Sequence, residues 1–219
     1  ACRRVLAGLA QQVLVSPADP QLAFVKREGA SSGPPSATDA AAAVVVFCRY
    51  RIATQDGTWD DLVRRLANFV LLHQGEDGAF RKPDDEGEAE ASGFAADAQA
   101  DCALALALAY GVADDPRFLL GAQRGLDFLR EEGRATVSPA AARRFVVAVH
   151  ELAAFLPPQR YMPQVRDCIV PLTERQITRG SAPGPDLVGG ILHGFPPPVE
   201  ETAADAEALA AAWLLAEFG

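Results

Sequence analysis

Residues 41–80, AAAVVVFCRYRIATQDGTWDDLVRRLANFVLLHQGEDGAF, contain one complete structural unit that decides the fold of the chain. The unit begins with an apolar helix of small residues over Ala41–Ile52, and a polar turn follows over Ala53–Gly57. An amphipathic helix then runs over Thr58–His73 and leads into the glycine-rich segment Gln74–Phe80. The stretch is therefore predicted to be a helical hairpin with a glycine-rich exit.

The same unit recurs 59 positions further along the chain. The apolar helix aligns with Ala100–Gly111, and five positions of the amphipathic helix meet related residues. These pairs are Trp59 and Phe118, Arg65 and Arg124, Asn68 and Asp127, Phe69 and Phe128, and Val70 and Leu129. Repeated hairpins are typical of stacked or closed helical arrays. The sequence thus predicts an all-α fold of repeated hairpins that form an (α/α) toroid or part of one.

Two classes of helix alternate along the chain. Small-residue helices, which we expect to be buried as the inner layer, begin near Asp39, Phe94, Ala140 and Ala203. Amphipathic helices, which we expect in the outer layer, begin near Trp59, Arg117 and Tyr161. Long segments precede most inner helices, namely Leu22–Thr38, Arg81–Gly93 and Gly180–Glu201. Since loops on a rigid scaffold carry function, we expect a site at the N-termini of the inner helices.

Local signals predict where individual helices start. The segment Thr58–Asp61 has the spacing of a capping box, and Asp114-Asp115-Pro116 and Ser138-Pro139 each combine an N-cap residue with proline at the first helical position. Thr202–Asp205 is predicted to cap the last helix, Ala203–Phe218.

Other stretches are predicted with less regular structure. We expect a first amphipathic helix over Ala1–Val15, and a loop or short β element within Leu22–Thr38. The segment Tyr161–Arg179 is predicted to be kinked or in two pieces, because Pro163 and Pro171 both interrupt a helix.

The composition of the chain limits the classes of partner and cofactor that we expect. The formal net charge of −9 disfavours nucleic acid and anionic membrane surfaces, and no apolar run is long enough to span a membrane. Four scattered cysteines without a Cys-x-x-Cys pair indicate buried free thiols rather than a metal set. We therefore predict no cofactor and no metal, and a single domain over residues 1–219 that is a piece of a longer protein.

The exit segment carries a resemblance to a known family. Gln74–Phe80 resembles the Gln-x-x-Asp-Gly-x-Trp/Phe motif of the terpene cyclase and prenyltransferase repeat. The turns at Asp56 and at Asp114-Asp115-Pro116 are similar to those of six-hairpin glycosidases and related sugar lyases and epimerases. Both groups share the α/α toroid, so the resemblance implies this fold and a structural role for the motif.

The chain also departs from these families. It has no Asp-x-Asp-Asp acid of hopene-type cyclases, and Asp167-Cys168 with His193 matches the protein prenyltransferase zinc set only faintly. It also lacks the Cys and Cys-His set of lanthionine cyclases. The sequence predicts about eight helices, fewer than a complete ring requires, so the ring is partial or the chain is a fragment.

Acidic residues gather at the expected loop face. The candidate catalytic residues are Asp97, Asp101, Glu201, Asp205 and His193, and the candidate substrate-binding residues are Phe80, Phe94 and Phe195. Two carboxylates across a cavity can divide acid and base roles in glycoside chemistry. Acids near helix N-termini also serve as caps, however, and aromatic residues also serve as core. His150 beside Glu151 is interpreted as a core histidine.

Two functional hypotheses follow. The first is a carbohydrate-active enzyme, a hydrolase, lyase or epimerase, that acts on an oligosaccharide or another small molecule. The alternative is a non-catalytic helical domain that docks a protein partner or a neighbouring domain.

Overall fold

The computed structural model describes residues 2–26, 35–81, 95–178 and 199–218, and these residues are mainly helical. Their eight α-helices are α1 Cys2–Gln11, α2 Ala37–Thr54, α3 Asp60–Leu72, α4 Ala96–Ala113, α5 Pro116–Glu131, α6 Pro139–Leu152, α7 Met162–Thr178 and α8 Val199–Phe218. Two short 3-10 turns cover Arg134–Thr136 and Pro158–Arg160. Strands β1 (Val13–Val15) and β2 (Ala23–Val25) form an antiparallel hairpin with Leu14 opposite Phe24.

The chain divides into two compact units, which we call unit 1 (residues 1–128) and unit 2 (residues 129–219). The predicted helical class is confirmed, whereas the ring arrangement and the single domain over residues 1–219 stay predictions. Among the described residues, no helix is both long enough and apolar enough to cross a membrane.

The 59-residue repeat is confirmed in unit 1. Helices α2 and α4 begin and end at equivalent positions, since 37 and 54 correspond to 96 and 113. Each ends in a residue with left-handed backbone, Gln55 with φ 58° and Asp114 with φ 50°. The next residues, Asp56 and Asp115, each accept a hydrogen bond from the amide two positions on, at 3.1 and 3.0 Å. The two hairpins therefore share the bounds of their first helix and the turn that follows it.

The turn aspartates also share an electrostatic property. The pKa of Asp56 is lowered, mainly by the hydroxyl hydrogen bond from Thr58, and that of Asp115 is lowered, mainly by the guanidinium hydrogen bond from Arg117. A carboxyl group whose pKa falls on folding favours the folded state above its unfolded pKa. Both turns therefore lose this contribution as the pH drops through the folded pKa values.

The two hairpins stack side by side in the same direction. Asn68 of α3 accepts a hydrogen bond from Arg117 of α5 at 3.3 Å, and Gln74, just beyond α3, donates to the carbonyl of Gly121 at 2.8 Å. Contacts thus advance together along α3 and α5, which makes these helices parallel. Helices α2 and α4 pack on each other and on α3, and they supply most of the buried small residues of unit 1.

The glycine-rich segment closes the first hairpin and packs on the second. Gln74 also donates to the carbonyl of Gly78 at 3.1 Å, and Gly78 has φ +88°. A Cβ atom at Gly78 would lie 2.4 Å from the carbonyl oxygen of Arg124. Only glycine fits this position, because both the backbone angle and the close approach exclude a side chain. The motif therefore ties the end of α3 to α5.

Unit 2 is built from α6, α7 and α8, which pack on one another. Phe145 of α6 is fully buried. Its ring packs edge-on against the ring of Tyr161, with 6.2 Å between the two ring centroids. Helix α6 begins as predicted, because the Ser138 hydroxyl accepts the Ala141 amide at 3.0 Å and Pro139 occupies the first helical position.

Two local predictions in unit 1 need correction, and a third is confirmed. The first helix ends at Gln11 rather than Val15, because Val13–Val15 pairs with Ala23–Val25 as a strand. The predicted capping box at Thr58 is wrong, since the Thr58 hydroxyl bonds to Asp56 and α3 begins after Trp59 without a side-chain cap. Of the loop or short β element predicted within Leu22–Thr38, β2 confirms the β element at Ala23–Val25.

Two predictions in unit 2 are also wrong. Helix α7 is continuous over Met162–Thr178, because Pro163 lies in its first turn, where the amide has no helical partner, and the helix runs on through Pro171. Helix α8 begins at Val199, so Thr202 lies inside the helix and cannot be its N-cap.

Candidate functional site

The structure places the predicted acids on two helices. Asp97 and Asp101 are half-buried in the first two turns of α4 in unit 1. Glu201 lies in the first turn of α8, and Asp205 lies further along the same helix in unit 2. The remaining predicted site residues, Phe94, His193 and Phe195, lie outside the described residues.

Asp205 is engaged in a buried ion pair. Its Oδ1 lies 2.7 Å from Nη1 of Arg143 on α6, and the two side chains are 0% and 13% exposed. Taking two charges out of water is costly, so the pair persists only because each charge compensates the other. The contact fixes the position of α8 along α6, which is a structural role for a residue that the sequence suggested as catalytic.

Phe80, a predicted substrate-binding residue, is fully buried. Its amide donates to Oε1 of Gln99 at 2.8 Å, and its carbonyl accepts from Nε2 of Gln99 at 2.7 Å. The buried Gln99 side chain thus acts like a neighbouring strand for one residue. The ring lies so close to Gly125 that a Cβ atom there would come within 2.9 Å of it. In this position Phe80 anchors the glycine-rich segment to α4 and α5.

A cleft of about 610 Å³ lies in unit 2, where α6 ends and the last turns of α8 pass. Three of its residues carry polar groups, namely His150, Glu151 and Gln159. The others are apolar: Ala153, Ala154, Pro157, Pro158, Leu214 and Leu215. Pro158 and Leu215 are buried, whereas Ala154 and Gln159 are exposed, so the cleft has an apolar base and an accessible edge.

The two helices that form the cleft run in the same direction. Arg143 and Asp205 are in contact in the first half of α6 and of α8. His150 and Leu214 both line the cleft, further along the same two helices. The cleft therefore lies at the C-terminal ends of α6 and α8, where helix dipoles present partial negative charge. This is the opposite end from the N-terminal face at which the sequence predicted a site.

The buried thiols are unsuited to a reactive site. Cys48, Cys102 and Cys168 are buried as predicted and form no disulfide, whereas Cys2 is exposed. Burial raises the pKa of Cys102 well above its usual value and that of Cys168 to about 12. Within the described part of the chain, no three His, Cys, Asp or Glu side chains come together as a metal site.

Sequence reasoning missed three residues that the structure makes prominent. Gln99 and Arg143 carry no motif, although a polar residue within a buried helix is a signal that it has a specific partner. His150 was interpreted as a core residue, but it is half-buried and lines the cleft. Its position beside Glu151 in the last turn of α6, directly after the apolar run 145–149, is the sequence signal for this end of the helix.

Comparisons with protein-family models, with curated proteins and with solved structures gave no match. The toroid resemblance therefore rests on the residues alone. The fold and the cleft together define the class as a mainly helical protein, with a repeated hairpin in unit 1 and an open cleft in unit 2.

Proposed function

We propose that this chain is a ligand-binding helical domain whose binding site is the cleft of unit 2. The observation that carries the proposal is the cleft itself, with its volume of about 610 Å³ and its mainly apolar lining. Sites for small molecules are typically concave, about 300–1,000 Å³ in volume, and lined by apolar groups with a few polar ones. Here His150, Glu151 and Gln159 are the polar groups that orient a ligand.

Packed elements support the cleft. The Arg143–Asp205 pair fixes α6 against α8, and Leu215 and Pro158 are buried at the base of the cleft. A preformed cleft binds with a smaller loss of conformational entropy than one that must be assembled. This argument favours binding of a compact ligand over docking of a large flat surface.

The experiment is a binding screen with a variant that fills the cleft. Ala154 is an exposed lining residue, so Ala154→Trp should occupy the cleft without disturbing the core. Ala210, exposed on α8 and not part of the lining, provides the matched control Ala210→Trp. Compounds from a panel of small amphiphilic molecules are first found by thermal shift and then titrated calorimetrically.

We expect compounds that bind the wild type and Ala210→Trp alike and that bind Ala154→Trp at least about tenfold more weakly. Equal binding to all three proteins would place the ligand elsewhere and overturn the proposal. A panel without any binder to the wild-type protein would also overturn it.

A second candidate function is the carbohydrate-active enzyme implied by the family resemblance. The observation that favours it is the exposure pattern of α4, in which residues 102–109 are all buried whereas Asp97 and Asp101 are half-buried on one face. Two carboxylates four residues apart can reach a common ligand.

The test is product formation from a panel of oligosaccharides and uronic-acid polymers. If Asp97 and Asp101 act as acid and base, Asp97→Asn and Asp101→Asn should each lower the rate by at least about a hundredfold. The melting temperature should stay close to that of the wild type. Absence of product with the wild type, or activity that both variants keep, rules this candidate out.

A further inference from the structure

Two side chains that line the unit 2 cleft have hydrogen-bonding groups that the chain itself does not use. His150 is half-buried in the last turn of α6, and Gln159 is exposed at the edge of the cleft. Within the described part of the chain, neither side chain forms a hydrogen bond or an ion pair. Glu151, the third polar residue of the lining, already has a partner in the chain. The groups left to orient a ligand are therefore an imidazole and an amide.

These two groups suit the same kind of head group. A neutral imidazole presents one donor and one acceptor nitrogen, and a side-chain amide presents two donor hydrogens and an acceptor oxygen. A head group that also donates and accepts can pair with both, whereas a group that only accepts leaves their acceptors unpaired. Because a partly buried polar group without a partner costs free energy, such a site discriminates against an analogue that lacks the matching donor. We expect this discrimination mainly at His150, which is the more buried of the two.

Charged head groups match the cleft less well. Helix α6 ends at Leu152, two residues after His150, and the last carbonyl groups of a helix carry a partial negative charge that disfavours an anion. Of the described residues that line the cleft, none is lysine or arginine, so a carboxylate finds no cationic side chain in the lining. An ammonium group accepts no hydrogen bond and is strongly hydrated in water, so it leaves the imidazole and amide donors unpaired. A neutral head group is therefore the best match.

The apolar part of the lining sets the rest of the ligand. Pro157, Pro158, Leu214 and Leu215 offer hydrocarbon surface that a fully polar molecule does not use. An apolar body removed from water on this surface supplies the non-directional part of the binding free energy, and the head group supplies the orientation.

We propose that the cleft takes a neutral amphiphile whose head group both donates and accepts hydrogen bonds, such as a primary carboxamide on an apolar body. The head group lies at His150 and Gln159, and the apolar body lies on Leu214 and Pro158. This inference rests on the proposed function and adds the chemical class of the ligand.

The test uses hexanamide, pentyl methyl ketone and hexanoate, which share a pentyl chain on a carbonyl carbon and differ only in the group beside the carbonyl. Hexylammonium is the cationic probe. Each is titrated into the full chain at pH 8 and low salt, with binding followed by ligand-detected NMR. We expect hexanamide to bind about fivefold more tightly than the ketone, because a methyl group in place of the amide nitrogen removes the donor. Hexanoate and hexylammonium should each bind more weakly than hexanamide, and Ala154→Trp should weaken binding of hexanamide and of the ketone.

Substitutions then isolate the two orienting side chains. His150→Phe keeps a ring but removes both hydrogen-bonding nitrogens, so it should bring the preference for hexanamide over the ketone below about twofold and leave ketone binding unchanged. His150→Gln restores a donor and an acceptor and should retain the preference. Gln159→Leu should lower the preference about twofold. Gln11→Leu, at an exposed glutamine of α1 in unit 1, is the matched control and should leave it intact.

The outcomes separate the two proposals. Equal binding of hexanamide and the ketone in the cleft, or tighter binding of hexanoate or hexylammonium, overturns the assigned ligand class and leaves the ligand-binding function standing. A preference that His150→Phe leaves intact, or that His150→Gln loses as fully as His150→Phe does, overturns the orienting role of His150. Failure of all four probes to bind, or binding that Ala154→Trp leaves unchanged, overturns the ligand class and counts against the ligand-binding site itself.

Discussion

Each of the two units is stabilised internally by a different kind of contact. In unit 1 the glycine-rich segment Gln74–Phe80 joins the hairpins through backbone groups, with Gln74 and Gln99 completing its hydrogen bonds. In unit 2 the two parallel helices are joined by charges, through Arg143 and Asp205. The first device is written as a local motif, whereas the second connects residues 62 positions apart. This contrast separates what a sequence reveals from what only a structure reveals.

Removing one charge in unit 2 is expected to have the largest effect on stability. Asp205→Asn leaves the Arg143 guanidinium buried without its counter-charge, and breaking a buried pair typically costs about 3–5 kcal/mol in the free energy of unfolding. Urea denaturation measures this loss. The control is Asp61→Asn in unit 1, which removes an exposed ion pair with Arg65 and should cost at most about 0.5 kcal/mol. Equal effects of the two substitutions would show that the Arg143–Asp205 pair is not buried.

The second largest loss of stability is expected from a glycine substitution in unit 1. Gly78→Ala forces a side chain into a position with φ +88° and places its Cβ atom against the carbonyl oxygen of Arg124. We expect a loss of about 2–4 kcal/mol in the free energy of unfolding, measured by the same denaturation. Gly111→Ala is the control, since nothing lies within 4 Å of that position in α4, and it should stabilise the helix by up to about 1 kcal/mol. A harmless Gly78→Ala contradicts the packing of the motif on α5.

Substitutions at helix starts should have smaller effects on stability, and these effects should differ between the units. Ser138→Ala in unit 2 removes a side-chain cap and should cost about 1 kcal/mol. Thr58→Ala in unit 1 should cost less, about 0.5 kcal/mol, because Thr58 bonds to Asp56 in the turn and does not cap α3. Thermal unfolding of both variants measures the difference. A larger loss of stability for Thr58→Ala than for Ser138→Ala would show that Thr58 does cap α3.

The last prediction involves no change in stability. Labelling of the thiols reports which cysteines are buried in each unit. Cys48 and Cys102 in unit 1 and Cys168 in unit 2 are buried, and burial raises the pKa of Cys102 and Cys168. Since the thiolate is the reactive form, iodoacetamide at pH 8 should label only Cys2 in the native protein and all four cysteines in denaturant. Mass spectrometry counts the labels, and rapid native labelling of Cys168 would contradict the packing of α7.

The repeated unit could be predicted from the sequence because local patterns specify it. The pairing of residues 59 apart fixed α2 and α4, and small residues at buried positions identified them as the more buried helices. The turn residues Asp56 and Asp115 take equivalent positions for the same reason, since each caps its own turn within two residues.

The rest depends on contacts that no local pattern specifies. Asp205 has the appearance of a helix-start acid, and only the position of Arg143 on another helix makes it a buried ion pair. The stretch Val13–Val15 continues a helical pattern, and only its pairing with Ala23–Val25 makes it a strand. The cleft likewise depends on α8 passing the end of α6, which places Leu214 near His150.

The most direct test of the account is hydrogen exchange of the full chain with and without a compound that the thermal-shift screen identifies, read by mass spectrometry. Binding in the cleft should slow exchange in peptides that cover residues 150–159 and 211–216 of unit 2, because a bound ligand stabilises the backbone that holds it. The repeated hairpin over residues 37–81 should exchange at the same rate in both samples, and Ala154→Trp should abolish the difference. Protection confined to residues 37–81 or 96–113, or no protection at a concentration that saturates binding, would contradict the assignment of the ligand site to unit 2.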